Sequence, residues 1–204
     1  MTGGQRFARV VTTLVVRRPG LWKLFRGRLT RNFDRLAPEW DATRVSRDRL
    51  RALDAALEAV PEPPKRVLDL GTGSGAAARL AAERWQAAGV TGVDVSEGMV
   101  REAQLRASTD REHYARADAT SLPFPDGSFD LVMLNNMIPF FDELARVTAP
   151  GGHVAIAYSL GPQTPIWVPP ERLKAELAQR GFVHVADFSA PPGVSLLARK
   201  ALPS

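Results

Sequence analysis

The chain has 204 residues, of which 45% are hydrophobic and 24% are charged, and it contains no cysteine. This is the composition of a globular domain with enough apolar side chains for a sizeable core, so it excludes disordered, collagen-like and disulfide-stapled proteins. Without thiols, a cysteine nucleophile and thiolate metal ligands are excluded, and we expect no metal site. No apolar stretch approaches the roughly 20 residues of a membrane-spanning helix and no secretory signal pattern is visible, so we expect a cytoplasmic protein.

The net charge of +5 is spread unevenly along the chain. Residues 1–60 hold 13 Lys/Arg against 6 Asp/Glu, a net charge of +7, whereas residues 61–204 carry a net charge of −2. A basic segment ahead of a mildly acidic body indicates an anionic partner, either a membrane surface or nucleic acid. We therefore divide the chain into N-terminal basic helices at 1–60 and a body at 61–204.

The N-terminal segment has the pattern of three helices. Apolar residues recur at i, i+3, i+4, i+7 and i+8 over residues 7–15, the spacing of an amphipathic helix that Pro19-Gly20 would end. A second stretch mixes apolar and basic residues, and a third helix is expected at 46–60. Basic amphipathic helices with Trp and Phe are typical of a membrane interface, so peripheral membrane contact through residues 5–33 is one interpretation. Packing of the apolar side on the body is the other.

In the body, strand and helix patterns alternate, which predicts a mostly parallel sheet with helices on both faces. The expected strands are residues 66–70, 89–95, 113–117, 129–134, 153–159, 182–188 and 195–200. The expected helices are residues 74–86, 97–107, 140–147 and 171–180. A turn is expected at Ala149-Pro150-Gly151-Gly152, and the short link Pro191-Pro192-Gly193 makes the last two strands a hairpin.

The most informative stretch joins the first strand of the body to the helix after it. It reads Asp69-Leu70-Gly71-Thr72-Gly73-Ser74-Gly75, with three glycines in five residues after an acid inside the strand. Glycines allow positive φ and let the backbone approach a ligand, and the helix N-terminus offers unpaired N–H groups, so the loop indicates nucleotide binding. A second acid, Asp94, ends the next strand, where it is placed to accept hydrogen bonds from ribose hydroxyls. Its alternative role, capping the following helix, suits Ser96 better.

These motifs, in this order, resemble those of the class I S-adenosylmethionine-dependent methyltransferases, and the match covers most of residues 65–200. The family's acid before a Leu-Pro-Phe run is present as Asp118, ahead of Leu122-Pro123-Phe124. The resemblance implies an α/β, Rossmann-like fold with a seven-stranded, mostly parallel sheet and a C-terminal antiparallel hairpin, whose last strand is inserted between its neighbours. It also implies S-adenosyl-L-methionine as cofactor and S-adenosyl-L-homocysteine as product.

By the same resemblance, Val95 and Met99 would flank the adenine, Asp118 would accept from its amino group and Asn135 would lie near the methionine end. The full set of expected cofactor-binding residues is Asp69, Leu70, Gly71, Thr72, Gly73, Gly75, Asp94, Val95, Met99, Asp118, Ala119 and Asn135. A nicotinamide or flavin dehydrogenase is the alternative for the glycine loop. Those enzymes favour Gly-x-Gly-x-x-Gly, whereas here the glycines stand at every second position.

The sequence defines the acceptor less well than the cofactor. Candidates for acceptor contacts are Asn136, Met137, Phe140, Trp22, Trp40 and Tyr158. Turn chemistry at a strand end explains the asparagines equally well, and core packing explains Trp40. Because a sulfonium methyl is already activated, the reaction does not by itself require a base, and we name no catalytic residue.

We expect a small, apolar or amphiphilic acceptor, as in the small-molecule and quinone-methyltransferase-like branch of the family, with the N-terminal helices as a lid over the cofactor cleft. A nucleic-acid methyltransferase is an alternative that the acidic body and the lack of a recognisable nucleic-acid-binding module disfavour. A second alternative is a non-catalytic protein that binds the cofactor or a membrane surface on the same fold.

Overall fold

The structure is a computed structural model that describes residues 3–203, apart from the side chain of Arg44. The helices are α1 (Gly3–Arg17), α2 (Trp22–Leu36), α3 (Trp40–Arg44), α4 (Arg47–Glu58), α5 (Ala76–Arg84), α6 (Glu97–Leu105), α7 (Phe141–Val147) and α8 (Pro170–Ala178). The strands are β1 (Arg66–Leu70), β2 (Gly89–Asp94), β3 (Glu112–Arg116), β4 (Phe129–Asn135), β5 (Thr148–Tyr158), β6 (Phe182–Ala190) and β7 (Gly193–Lys200). Residues 1 and 2 of the predicted segment 1–60, and residue 204 of the predicted segment 61–204, lie outside the described residues.

The seven strands form one sheet in the order β3-β2-β1-β4-β5-β7-β6. Neighbours from β3 to β5 pair in parallel, and β7 pairs antiparallel with both β5 and β6. The last strand is therefore inserted between its neighbours, and the predicted sheet with its C-terminal hairpin is confirmed.

Strand β5 differs from its prediction. It begins at Thr148, not at residue 153, so the expected turn at Ala149-Pro150-Gly151-Gly152 is part of the strand. Thr148 pairs with Phe129, and the register shifts between Phe129 and Leu131. This irregularity gives Pro150 and the left-handed Gly151 (φ 75°) a place within the strand, where regular pairing has none.

Helices α1 and α2 pack on one face of the sheet. There, Leu68, Leu134 and Ile156 belong to a core that also contains Val11 and Val15 of α1. Val11 and Val15 of the predicted apolar side are thus buried on the body, whereas Val10 and Leu14 of the same side are exposed. None of the helices within residues 3–203 is both long and apolar enough to cross a membrane.

Helix α4 covers the opposite face, over β5, β6 and β7. Its Leu53 and Leu57 are buried in the core that contains Met133. The hydroxyl of Ser195 in β7 donates to the carbonyl oxygen of Ala52, at 2.5 Å. This helix of the basic segment is thus one layer of the α/β sandwich, while the division of the chain at residue 60 stays a prediction.

Candidate cofactor site

The glycine loop lies where β1 ends and α5 begins, and its three glycines all have positive φ: 74° at Gly71, 54° at Gly73 and 84° at Gly75. The backbone N–H groups of Gly71 and Thr72 donate to the carbonyl of Val93, at 2.9 and 3.0 Å, which holds the loop against β2. A Cβ at Gly75 would lie 2.8 Å from the Tyr114 hydroxyl oxygen. Conformation and space together therefore require glycine in this loop.

Asp69 supports the loop from beneath. Its side chain is 1% exposed and accepts a hydrogen bond from the hydroxyl of Thr72, at 2.6 Å. Burial raises the pKa of Asp69 to about 7, against the opposite effect of the Thr72 hydrogen bond. Asp69 therefore holds the loop through Thr72, and it lies too deep to reach the solvent face of the site.

Asp94 joins the glycine loop to the start of α6. One carboxylate oxygen accepts from the N–H of Gly73, at 3.0 Å, and the other from the N–H of Ser96, at 2.9 Å. Burial raises the pKa of Asp94, and the nearby carboxylate of Asp34 acts in the same direction. Ser96 caps α6 by accepting from the N–H of Met99, as its position predicts. Since a carboxylate oxygen accepts more than one hydrogen bond, Asp94 keeps capacity to accept from a ribose hydroxyl.

Asp118 is held by the N-terminal segment. Its Oδ1 accepts from the Trp22 indole Nε1 at 3.0 Å and from the N–H and hydroxyl of Thr120, while its Oδ2 accepts from Arg26 at 2.8 Å. Burial raises the pKa of Asp118, but these donors outweigh it and hold the pKa below its usual range. Trp22, expected to touch an acceptor, instead has an indole committed to Asp118 and packed edge-on against Phe140, with ring centroids 5.6 Å apart.

A cavity of about 590 Å³ opens between α2 and the ends of β2 and β3. Arg26, Gly27, Thr30, Arg31 and Asp34 line it from α2, and Val95, Arg116, Ala117 and Asp118 line it from the body. The predicted adenine residues Val95 and Asp118 therefore share one cavity, whereas the side chains of Leu70, Met99 and Ala119 are buried in the protein interior. The sequence predicted the N-terminal helices as a lid over the cofactor cleft but did not identify the α2 residues that line this cavity. Their one signal was Asp34, the lone acid among nine bases in residues 1–35.

At the end of β4, the polar side chain of Asn135 and the apolar side chain of Met137 follow each other closely in the chain. The side-chain oxygen of Asn135 is buried and has no hydrogen-bond partner within the described part of the chain. Met137 covers Gly71, where a Cβ would lie 2.6 Å from its sulfur. An unpartnered acceptor beside a glycine-lined loop fits a ligand that brings its own donor, such as the ammonium group of S-adenosylmethionine.

Asn136 lies in the left-handed region (φ 56°) and links the ends of β4 and β5. Its amide donates to the hydroxyl of Ser159 at 3.0 Å and accepts from the N–H of Ser159 at 2.8 Å. These bonds are turn chemistry at a strand end, the alternative to an acceptor contact. Tyr158 is also buried, packs edge-on against Trp167 and lines a different cavity, of about 320 Å³, between α8 and β5–β7.

Trp40 lies at the glycine loop, with its indole nitrogen 3.6 Å from the position of a Cβ on Gly73. The next residue, Asp41, forms ion pairs with Arg79 at 3.4 Å and with Arg106 at 3.2 Å. Arg79 in turn donates to the carbonyl oxygen of Ser74, at 2.8 Å. The N-terminal segment therefore contacts both the glycine loop and Asp118.

Comparison with protein families matches residues 67–152 to a family described as a methyltransferase domain. A demethylmenaquinone methyltransferase of Clavibacter sepedonicus is 34% identical over 188 residues, covering 86% of this chain and 71% of that protein. A malonyl-[acyl-carrier protein] O-methyltransferase of Halorhodospira halophila is 38% identical over 143 residues. That match covers 66% of this chain and 48% of the relative, so the chain spans about half of the second protein's length.

Among solved structures, phosphoethanolamine N-methyltransferase 2 of Haemonchus contortus, in complex with phosphomonomethylethanolamine and S-adenosylhomocysteine, superposes with a TM-score of 0.62. The identity is 20%, and the match covers 76% of this chain and 53% of that chain. At this identity the similarity shows the fold alone, and it confirms the predicted Rossmann-like class.

Proposed function

Because the chain belongs to the class I S-adenosylmethionine-dependent methyltransferases, we propose that it transfers a methyl group from S-adenosylmethionine to a small, apolar or amphiphilic acceptor. One observation carries the proposal. Asp118 lines the cavity at α2, Asp94 directly precedes its lining residue Val95, and both carboxylates keep capacity to accept hydrogen bonds beyond those from their protein donors.

In this proposal each polar group of the site receives one part of the cofactor. Asp94 accepts from the ribose hydroxyls and Asp118 Oδ2 from the adenine amino group, while Asn135 accepts from the ammonium group. The cofactor supplies a methyl group that is already activated on sulfur. The protein then has to orient the acceptor in line with that methyl and exclude water, which the apolar residues after β4 support.

The apolar character of the acceptor rests on the segment that follows Asn135. Met137 lies on the glycine loop, and Ile138, Phe140 and Phe141 are buried in the core that also contains Trp22. A quinone ring with an apolar tail suits these surroundings better than a charged acceptor does, because burying an unpaired charge among them is costly. The demethylmenaquinone methyltransferase among the relatives agrees with this choice.

The experiment incubates the chain with methyl-labelled S-adenosylmethionine and one of two acceptors, a short-tailed demethylmenaquinone or a malonyl thioester. We expect label in the quinone and not in the thioester. Label in the thioester alone would overturn the apolar acceptor. Binding of S-adenosylhomocysteine without transfer to any acceptor would favour the non-catalytic alternative, and binding of NADH in its place would overturn the cofactor assignment.

We also infer peripheral membrane contact through residues 5–33. On α1 and α2, Val10 is 57% exposed and Leu24 is 75% exposed. They lie among exposed cationic side chains, with Arg6 and Arg17 on α1 and Arg28 on α2. Exposed aliphatic side chains surrounded by cations are the pattern of a helix that rests on an anionic lipid surface.

The membrane proposal has a matched control, because Leu105 on α6 is 74% exposed but lies outside the basic segment. We expect Leu24→Ser to weaken co-sedimentation with phosphatidylglycerol vesicles by about threefold or more, and Leu105→Ser to leave it unchanged. Equal binding of the two variants, or equal binding of the wild type to phosphatidylcholine and phosphatidylglycerol vesicles, would contradict membrane contact at this surface.

A further inference from the structure

We propose that α2 is a fixed wall of the adenosine site and that Arg31 on this helix contacts the adenine of the bound cofactor. The inference rests on the proposed function, since it takes the cavity between α2 and β2–β3 to be the adenosine site. It replaces the expected lid with a built-in part of the site and adds α2 residues to it.

The first observation is that the N-terminal part of α2 binds the carboxylate of Asp118. Trp22, at the start of α2, is 5% exposed and donates to Asp118, and Arg26 one turn later pairs with the other carboxylate oxygen. A helix that swings open would leave the partly buried carboxylate of Asp118 without two of its donors and expose the Trp22 indole. Both changes cost free energy, so the closed position is the stable one.

The second observation lies at the other end of α2. The carboxylate of Asp34 accepts from the hydroxyl of Ser96 at 2.5 Å and from the N–H of Gly98 at 3.1 Å, at the N-terminus of α6. A Cβ on Gly98 would lie 3.2 Å from the Asp34 Cα, so the two helices meet backbone to backbone. The same Ser96 donates its N–H to Asp94. Asp34 therefore connects α2, through Ser96, to the carboxylate proposed to bind ribose.

Between these two anchors, α2 presents its cationic side chains to the cavity. Arg26 is neutralised by Asp118. Arg31 lines the same cavity and, among the residues that the structure describes, it has no hydrogen bond or ion pair. A planar guanidinium without a carboxylate partner stacks favourably on an aromatic ring. In a cavity that contains Val95 and Asp118, the ring available to it is the adenine.

The chain offers a matched test, since Arg26, Arg28 and Arg31 lie on the same helix. Arg26→Gln and Arg31→Gln remove guanidinium groups that line the cavity. Arg28→Gln removes one that lies over the Phe7 ring, 5.0 Å from its centroid, and outside the cavity. Each variant loses one positive charge, so the change in net charge is the same in all three. The measurement is calorimetric titration of the full chain with S-adenosylhomocysteine, with circular dichroism to verify the fold.

We expect the dissociation constant to rise about fivefold or more in Arg26→Gln and Arg31→Gln, the equivalent of about 1 kcal/mol, and to stay within about twofold in Arg28→Gln. If the wild type and all three variants bind S-adenosylhomocysteine with the same affinity, α2 is not a wall of the adenosine site. The proposed function is unaffected by that result. If the wild type does not bind it, the proposed function fails and this inference fails with it.

Discussion

Trp22 and Asp118 lie 96 positions apart in the chain and are joined by a hydrogen bond of 3.0 Å from the indole nitrogen to a carboxylate oxygen. Trp22 begins the second helix of the basic N-terminal segment, and Asp118 is the acid that we assign to the adenine amino group. This bond makes the N-terminal segment a structural part of the cofactor site. Cofactor affinity should therefore depend on residues that do not themselves touch the cofactor.

Trp22→Phe tests this dependence, because phenylalanine keeps an aromatic ring beside Phe140 and removes the N–H donor together with part of the buried indole. We expect S-adenosylhomocysteine affinity to fall about threefold to tenfold and the free energy of unfolding to fall by about 1 kcal/mol or more, since the lost hydrogen bond and the lost ring packing both contribute. Titration calorimetry and denaturant unfolding give the two quantities. Trp167→Phe is the control, since Trp167 packs on Tyr158 at the other cavity. A loss of affinity in the control as large as in Trp22→Phe would contradict the specific role of Trp22.

In the glycine loop, a pair of substitutions can separate an effect on cofactor affinity from an effect on folding stability. Gly73 and Gly127 have positive φ of 54° and 64°, and a Cβ on either would meet its nearest neighbour at 3.6 Å. Only Gly73 lies in the loop, between Asp94 and Trp40. We expect Gly73→Ala and Gly127→Ala each to lose about 1–2 kcal/mol of stability from the strained backbone. Binding of S-adenosylhomocysteine should weaken at least about tenfold in Gly73→Ala alone, because the added methyl occupies the ligand's approach. Equal affinities in the two variants would rule out the loop as the cofactor cradle.

Asp69 predicts how stability changes with pH. Burial raises its pKa from 3.8 to about 7 in the folded chain, so between about pH 4 and pH 7 the folded state binds more protons at this site than the unfolded state. This group therefore makes folding less favourable as the pH rises through that range, by about 1.4 kcal/mol for each unit of pKa difference. In Asp69→Asn the penalty is absent, and the stability of the variant relative to wild type should increase from pH 4 to pH 7.

Asp130 is the control, because its pKa is shifted in the opposite direction from that of Asp69. Burial raises the pKa of its carboxyl, but the guanidinium and N–H of Arg66 and the N–H of Lys65 outweigh burial, and the net pKa is lowered. Asp130→Asn should therefore lose stability relative to wild type at neutral pH, and this loss should shrink as the pH falls through the folded pKa. Urea unfolding at a series of pH values measures both differences. The same trend in both variants would contradict the environment assigned to Asp69.

The sequence predicts the body more completely than the N-terminal segment. Strand β1 has its predicted bounds, and the glycine loop and Asp94 lie together because the carboxyl ends of parallel strands meet at one edge. The place where α2 packs on the body could not be predicted in this way. Helical periodicity indicates which side of a helix is buried and not which part of the body it meets, so the bond from Trp22 to Asp118 leaves no local signal. In β5, pairing with β4 outweighed the local turn preference of Pro150-Gly151-Gly152.

Asn135 supplies the last prediction, in which stability and binding change in opposite directions. Its buried side-chain oxygen has no partner within the described residues, and an unpaired buried acceptor costs about 1–3 kcal/mol. Asn135→Leu removes that cost, so the chain without cofactor should melt at a higher temperature. Affinity for S-adenosylmethionine should fall about tenfold or more, because its ammonium group loses an acceptor. Asn136→Ala is the contrast: it breaks two hydrogen bonds with Ser159 and should lower the melting temperature. Thermal unfolding with and without cofactor measures both effects, and unchanged affinity in Asn135→Leu would exclude Asn135 from the cofactor site.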